Sequence, residues 1–169
     1  MTGRDPNHAP ARVEATSRRL LQLGFVLFLL GLLTGFAVPI AANPRMALSS
    51  HLEGLLNGIF LLVVGLIWER LQLGARARAT AFWLVVYGTF ANWATTLAAA
   101  VLGAGASMMP LAGGGQSGSS AQEMVIGAGL LSLSVAMVVV CPILLYGLRG
   151  AVPIRREAGE QPASRRCAS

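Results

Sequence analysis

Apolar side chains run almost unbroken along four stretches of the chain, and short polar clusters separate them. The stretches cover roughly residues 20–42, 51–73, 79–103 and 121–148. Each reaches the ~20 residues that a helix needs to cross the hydrocarbon core of a bilayer. Backbone polar groups in lipid must be satisfied within the segment itself, so the pattern predicts helices and not strands. The expected fold is all-α: an integral membrane four-helix bundle over residues 18–150. Residues 1–17 and 151–169 are polar with no apolar period, which predicts two disordered tails. The first apolar stretch is too long for a signal-peptide core and lacks a clear cleavage site, so it is expected to be retained.

Composition agrees with this pattern. Of 169 residues, 54% are hydrophobic and 12% charged, which excludes an ordinary soluble domain. The net charge is +6 and every basic side chain is Arg. Arg4, Arg12, Arg18 and Arg19 precede the first helix, Arg70, Arg76 and Arg78 lie between the second and third, and Arg149, Arg155, Arg156, Arg165 and Arg166 follow the fourth. Only Arg45 lies on the opposite side. The asymmetry predicts a multi-pass protein of the cell inner membrane with both termini cytoplasmic. It also reads the positive charge as a topology signal and not as a nucleic-acid surface. The absence of Lys excludes Schiff-base chemistry. Cys141, just before Pro142, and Cys167 have no metal-ligand spacing.

Two features of the helices and loops leave alternatives open. Gly31 and Gly35 have GxxxG spacing, and so do Gly54 and Gly58. Such pairs let backbones approach closely, either inside the bundle or between subunits. The loop GAGASMMPLAGGGQSGSS reads as a flexible connector, or as a lid if Met108, Met109, Pro110 and Leu111 fold back over the mouth of the bundle.

The candidate chemistry lies in HLEGLLNG, which leads into the second span. Ionisable and polar groups at membrane depth are costly and usually serve a site or a partner. His51 is the candidate metal or haem ligand, with an interfacial histidine as the plainer reading. Ser50 and Glu53 have capping-box spacing, so Glu53 reads either as a helix cap or as a site carboxylate. Asn57 lies one turn beyond Glu53, about 120° around the helix from His51. In the third span, Tyr87, Thr89, Asn92, Trp93, Thr95 and Thr96 form an unusually polar segment. Asn57 and Thr96 are expected at matching depth, with Asn92 a turn deeper. Interhelical hydrogen bonding accounts for Thr89 and Thr95, whereas Asn57 and Asn92 offer donors and acceptors to a polar substrate. No other histidine lies in a span, so a single axial ligand with an open position fits better than a bis-histidine haem. Arg45, six residues before His51, is a candidate partner for a haem propionate, or for lipid phosphate.

The runs ANPRMALSSHLEGLLNG, YGTFANWATTLAAAVLGAG and MMPLAGGG resemble the hydroxylaminobenzene mutase family. His51, Asn57 and Gly58, with the Ala91–Asn92 pair, are also similar to the more distant styrene oxide isomerases. The resemblance implies a four-helix membrane isomerase that is a homotrimer with haem b at its subunit interfaces. It implies that His51 is the axial iron ligand, that ferric iron acts as a Lewis acid, and that Asn57 touches the substrate oxygen. Thr96 stands where the styrene oxide isomerases have a catalytic tyrosine, which favours aryl hydroxylamine rearrangement to ortho-aminophenols over epoxide isomerisation. Tyr87 is a deeper substitute for that tyrosine. Asn57 or Asn92 would orient the N–OH group, and Glu53, if it is not only a cap, would move a proton. An epoxide isomerase and a non-enzymatic haem-binding membrane protein are the alternatives. A small-molecule exporter is disfavoured because Glu53, Glu69 and Glu123 lie near helix ends.

Overall fold

The computed structural model describes residues 8–150, with side chains from residue 11. The described residues are all helix and loop. Four helices are long and apolar enough to cross a membrane: α1 (His8–Ala37), α2 (Pro44–Ile67), α3 (Ala75–Leu102) and α5 (Ser120–Gly147), with a single-turn α4 (Pro110–Gly113) between the last two. Short 3₁₀ turns extend α1 through Ile40 and α2 through Arg70.

Three helices begin several residues before the apolar pattern predicts, α3 by four and α1 and α2 by more. Residues 8–17, expected to be part of a disordered tail, belong to α1. The reason is a stripe that continues below the apolar run: Val13, Ser17, Leu20, Gly24, Leu27, Gly31 and Thr34 share one face at alternating spacings of four and three. Val13 packs against the core, and the Ser17 hydroxyl donates to the Gly65 carbonyl at 2.9 Å. The tail expectations for 1–7 and 151–169 lie outside the described residues.

The second helix starts at Pro44 and not at His51. Asn43 caps it, its side chain accepting from the Met46 N–H at 3.2 Å, and proline occupies the first position, where its missing N–H costs nothing. Ser50 and Glu53 are therefore interior residues, and the capping-box reading of this pair is overturned. A capping box does exist at Ser119 and Gln122, where it opens α5.

Glycines set how α1 and α2 meet. A Cβ on Gly54 would stand 2.5 Å from the Gly31 Cα, and one on Gly58 would stand 2.7 Å from the Phe28 backbone nitrogen. Both GxxxG pairs are thus used for packing within one chain. Helix α2 packs in turn on α3, and α3 on α5. Helix α5 packs mainly on α3, and its Ile126, Val140 and Leu144 join the apolar clusters that α1 and α2 also line.

Two apolar clusters fill the interior. One, toward the 71–74 loop, holds Leu20, Leu27, Leu61, Trp68 and Val85; the other, toward the 103–119 loop, holds Met46, Ala47, Ala99, Ala100 and Ile126. The 103–119 loop is folded. Glu123 accepts from the N–H groups of Gly105, Ser107 and Gly118 and from the Ser107 hydroxyl, at 2.8–3.2 Å. Asn43 Nδ2 donates to the carbonyls of Ala112 and Gly113, at 3.2 and 3.0 Å. Met109 and Ala112 pack on the second cluster, so the loop covers that end of the helices.

Candidate active site

Between the two apolar clusters lies a polar tier built from α1, α2 and α3. Glu53 is its hub. Its Oε2 accepts from Asn57 Nδ2, one turn on at 3.2 Å, and from Asn92 Nδ2 of α3 at 2.5 Å. No Arg or His bonds to this carboxylate among the described residues. Beside it, the Ser50 hydroxyl donates to the Trp93 carbonyl at 3.2 Å, and Trp93 Nε1 donates to the Thr34 hydroxyl at 3.1 Å. Trp93 thereby lies against Gly54 and ties α3 to α1 across α2.

His51 faces the other way. Its Nδ1 lies 2.7 Å from the Gly31 carbonyl, and the ring rests on Gly35, where an added Cβ would stand 2.9 Å from Nδ1. A carbonyl only accepts, so Nδ1 carries the proton and donates. Nε2 has no partner among the described residues, and in the neutral ring it is the nitrogen with the lone pair. Two residues along a helix turn through about 200°, so His51 and Glu53 lie roughly 160° apart around α2. Within one chain, α2 separates them.

The other expected site residues fall elsewhere. The Thr96 hydroxyl is turned back on its own helix, donating toward the Asn92 and Trp93 carbonyls. Thr89 does the same toward Val85 and Val86, so its expected interhelical bond is not formed among the described residues. Thr95 lies against Gly129 of α5. Tyr87 is about 140° around α3 from Asn92. Its hydroxyl meets Ser132 of α5 at 2.7 Å, on an exposed face shared with Trp83, Phe90 and Ala94. It does not join the Glu53 cluster. Arg45 is exposed, with its stem 3.6 Å from where a Gly114 Cβ would stand, against the 103–119 loop and not beside His51.

The expected depth match of Asn57 with Thr96 also shifts. Ser50 meets Trp93 and Glu53 meets Asn92, because α2 starts well before His51. Sequence reasoning missed the Gly31 carbonyl as the histidine's anchor and the role of Thr34. Gly31 was visible only as half of a packing motif.

A family model described as styrene oxide isomerase matches residues 16–149. The chain belongs to the styrene oxide isomerase family. It is 57% identical over 162 residues to hydroxylaminobenzene mutase HabB of Ectopseudomonas oleovorans, covering 93% of this chain and 98% of that protein. It is 44% identical over 129 residues to hydroxylaminobenzene mutase HabA of the same organism, covering 76% of this chain and 96% of that one. No solved structure matches. Family and relatives together mark the chain as an isomerase.

Proposed function

We propose that this isomerase converts aryl hydroxylamines, such as hydroxylaminobenzene, to ortho-aminophenols, with haem b as cofactor. The observation that carries this reading is the Glu53 hub: a carboxylate and two amides, without a cation, in the polar tier of an apolar span. Such a cluster suits a small, uncharged, hydrogen-bonding aromatic. The relatives' names supply the substrate class.

The residues present fit a haem that His51 would hold as its single protein ligand. The Gly31 carbonyl fixes the His51 tautomer and leaves Nε2 free to ligate. No group of three or more His, Cys, Asp or Glu side chains lies together among the described residues, so a single imidazole on a haem is a better fit than a metal cage made of protein ligands. When bound, ferric haem supplies Lewis acidity that weakens an N–O bond without net redox change. Within one chain α2 stands between His51 and Glu53, so the proposal includes the homotrimer, in which a neighbouring copy would supply the histidine beside the amide pair. Arg45, exposed toward the 103–119 loop, is the cation available to a propionate.

The chain's own groups then do the following. Asn57 and Asn92 orient the N–OH group by hydrogen bonding. The apolar clusters on either side keep out bulk water, which would otherwise trap the electron-poor ring. The N–O bond breaks, a C–O bond forms at the ortho carbon, that carbon loses a proton and the nitrogen gains one. Glu53, bonded to both amides, is placed to carry that proton. Substrate and product are isomers, so no oxidant or reductant is consumed.

Purified protein in ¹⁸O-labelled water, without reductant, is expected to form ortho-aminophenol whose oxygen is unlabelled. Absence of the product overturns the reading, and a carbonyl product from styrene oxide in its place supports the epoxide isomerase alternative. The Arg asymmetry supports an inner-membrane protein with cytoplasmic termini. A reporter fused after Arg149 is expected to be active on the cytoplasmic side only, and periplasmic activity contradicts that orientation.

A further inference from the structure

The Glu53 hub also determines which end of each amide is free. Both Asn57 Nδ2 and Asn92 Nδ2 address one oxygen, Oε2. An ionised carboxylate only accepts, so both amides must turn their NH₂ groups to it. Even a protonated carboxyl holds one proton and could give it to one amide alone. The amide carbonyls are therefore directed away from Glu53. Neither Oδ1 has a hydrogen-bond partner among the described residues, and Trp68 Nε1 is the one fully enclosed side-chain polar atom without a partner, so both carbonyls stay accessible.

We propose that Glu53 is a positioning residue that sets the substrate class, by presenting the Asn57 and Asn92 carbonyls to a ligand that carries hydrogen-bond donors. The inference deepens the proposed function and rests on it. An aryl hydroxylamine has an N–H and an O–H to give these two acceptors. An epoxide has neither and leaves both carbonyls desolvated and unpaired. Sites built to bond a donor reject the analogue that lacks it far more strongly than hydrophobic pockets reject a missing methylene.

The test is inhibition of hydroxylaminobenzene turnover by the intact haem protein. The competitors are N-methyl-N-phenylhydroxylamine, O-methyl-N-phenylhydroxylamine and styrene oxide; a ring-methylated hydroxylamine reports the cost of an added methyl alone. Loss of either donor is expected to weaken competition about tenfold relative to the ring-methylated control, and styrene oxide is expected to compete least. In Glu53→Leu the amides can rotate, and the penalties should shrink to within about twofold. In Glu53→Gln one oxygen can still accept from both amides, and the penalties should persist. These are ratios, which a uniform loss of turnover does not move; in a Glu53 variant that no longer turns over because the proton carrier is gone, the same ratios are read as dissociation constants of the compounds from the haem protein. Should Glu53→Leu not accumulate, Glu53→Asp, withdrawn by one methylene, is expected to flatten the series in the same way. Undiminished competition by the methylated compounds in the wild type, or full penalties in Glu53→Leu or Glu53→Asp, would overturn the inference. Failure of the wild type to turn over hydroxylaminobenzene instead removes the proposed function on which it stands.

Discussion

His51→Ala is expected to purify without a Soret band and with turnover of hydroxylaminobenzene reduced at least about 10³-fold, as for loss of a principal electrostatic contributor. The argument starts at Gly31. Its carbonyl accepts from Nδ1 at 2.7 Å, so Nε2 is the nitrogen that would ligate iron in the proposed site. The chain's other histidine, His8, opens α1 outside the apolar span Ala11–Ile40, so no second imidazole lies in a span to replace it. Packing does not depend on the ring in the same way, because α1 and α2 are joined mainly through glycine contacts along their length. The variant should therefore still fold in the membrane. Added imidazole can occupy the space left by the side chain and is expected to restore part of the haem binding. Full haem content in His51→Ala removes this residue from the site.

Substitution at Gly54 is expected to have the largest effect on the fold. The hydrogen there faces the Gly31 Cα, and an added Cβ would also come within 3.0 Å of Trp93 Cδ1. The first obstacle is backbone, so no rotamer change relieves it and the two helices must separate. Overpacking of this kind costs roughly 1–3 kcal/mol for Gly54→Ala, and Gly54→Leu is expected not to accumulate as a folded protein. Leu66→Ala on the same helix serves as the comparison, since Leu66 is 69% exposed and faces away from the packed helices. Thermal unfolding in detergent reads the difference. A Gly54→Ala protein as stable as Leu66→Ala would show that the α1–α2 contact is looser than the structure has it.

Much of the fold was legible because lipid imposes one solution on an apolar run of sufficient length: four such runs give four long helices. The ends were less legible. The sequence ANPR holds both a cap and an N-terminal proline, yet hydropathy alone placed the start of α2 seven residues late, at His51. That error carried into the site, turning Glu53 into an apparent cap and misplacing the depth of Asn57 against α3. Spacing could show that Glu53 and Asn57 share a face, and that Asn92 lies on a polar stretch of α3. It could not show that a carboxylate joins the two amides, because that depends on the register between helices. Tyr87 stands out as a substitute for the tyrosine that the resemblance implies, and Thr96 by its expected depth and by the resemblance. The structure turns one toward α5 and bonds the other to its own backbone.

The account rests on a haem-dependent isomerisation, and titration of haem-free protein with ferric haem tests it most directly. The Soret band and the conversion of hydroxylaminobenzene to ortho-aminophenol, with no reductant present, are followed in one sample. Both are expected to rise together and to saturate at the same ratio of haem to protein. Full turnover before any haem is added would contradict the account.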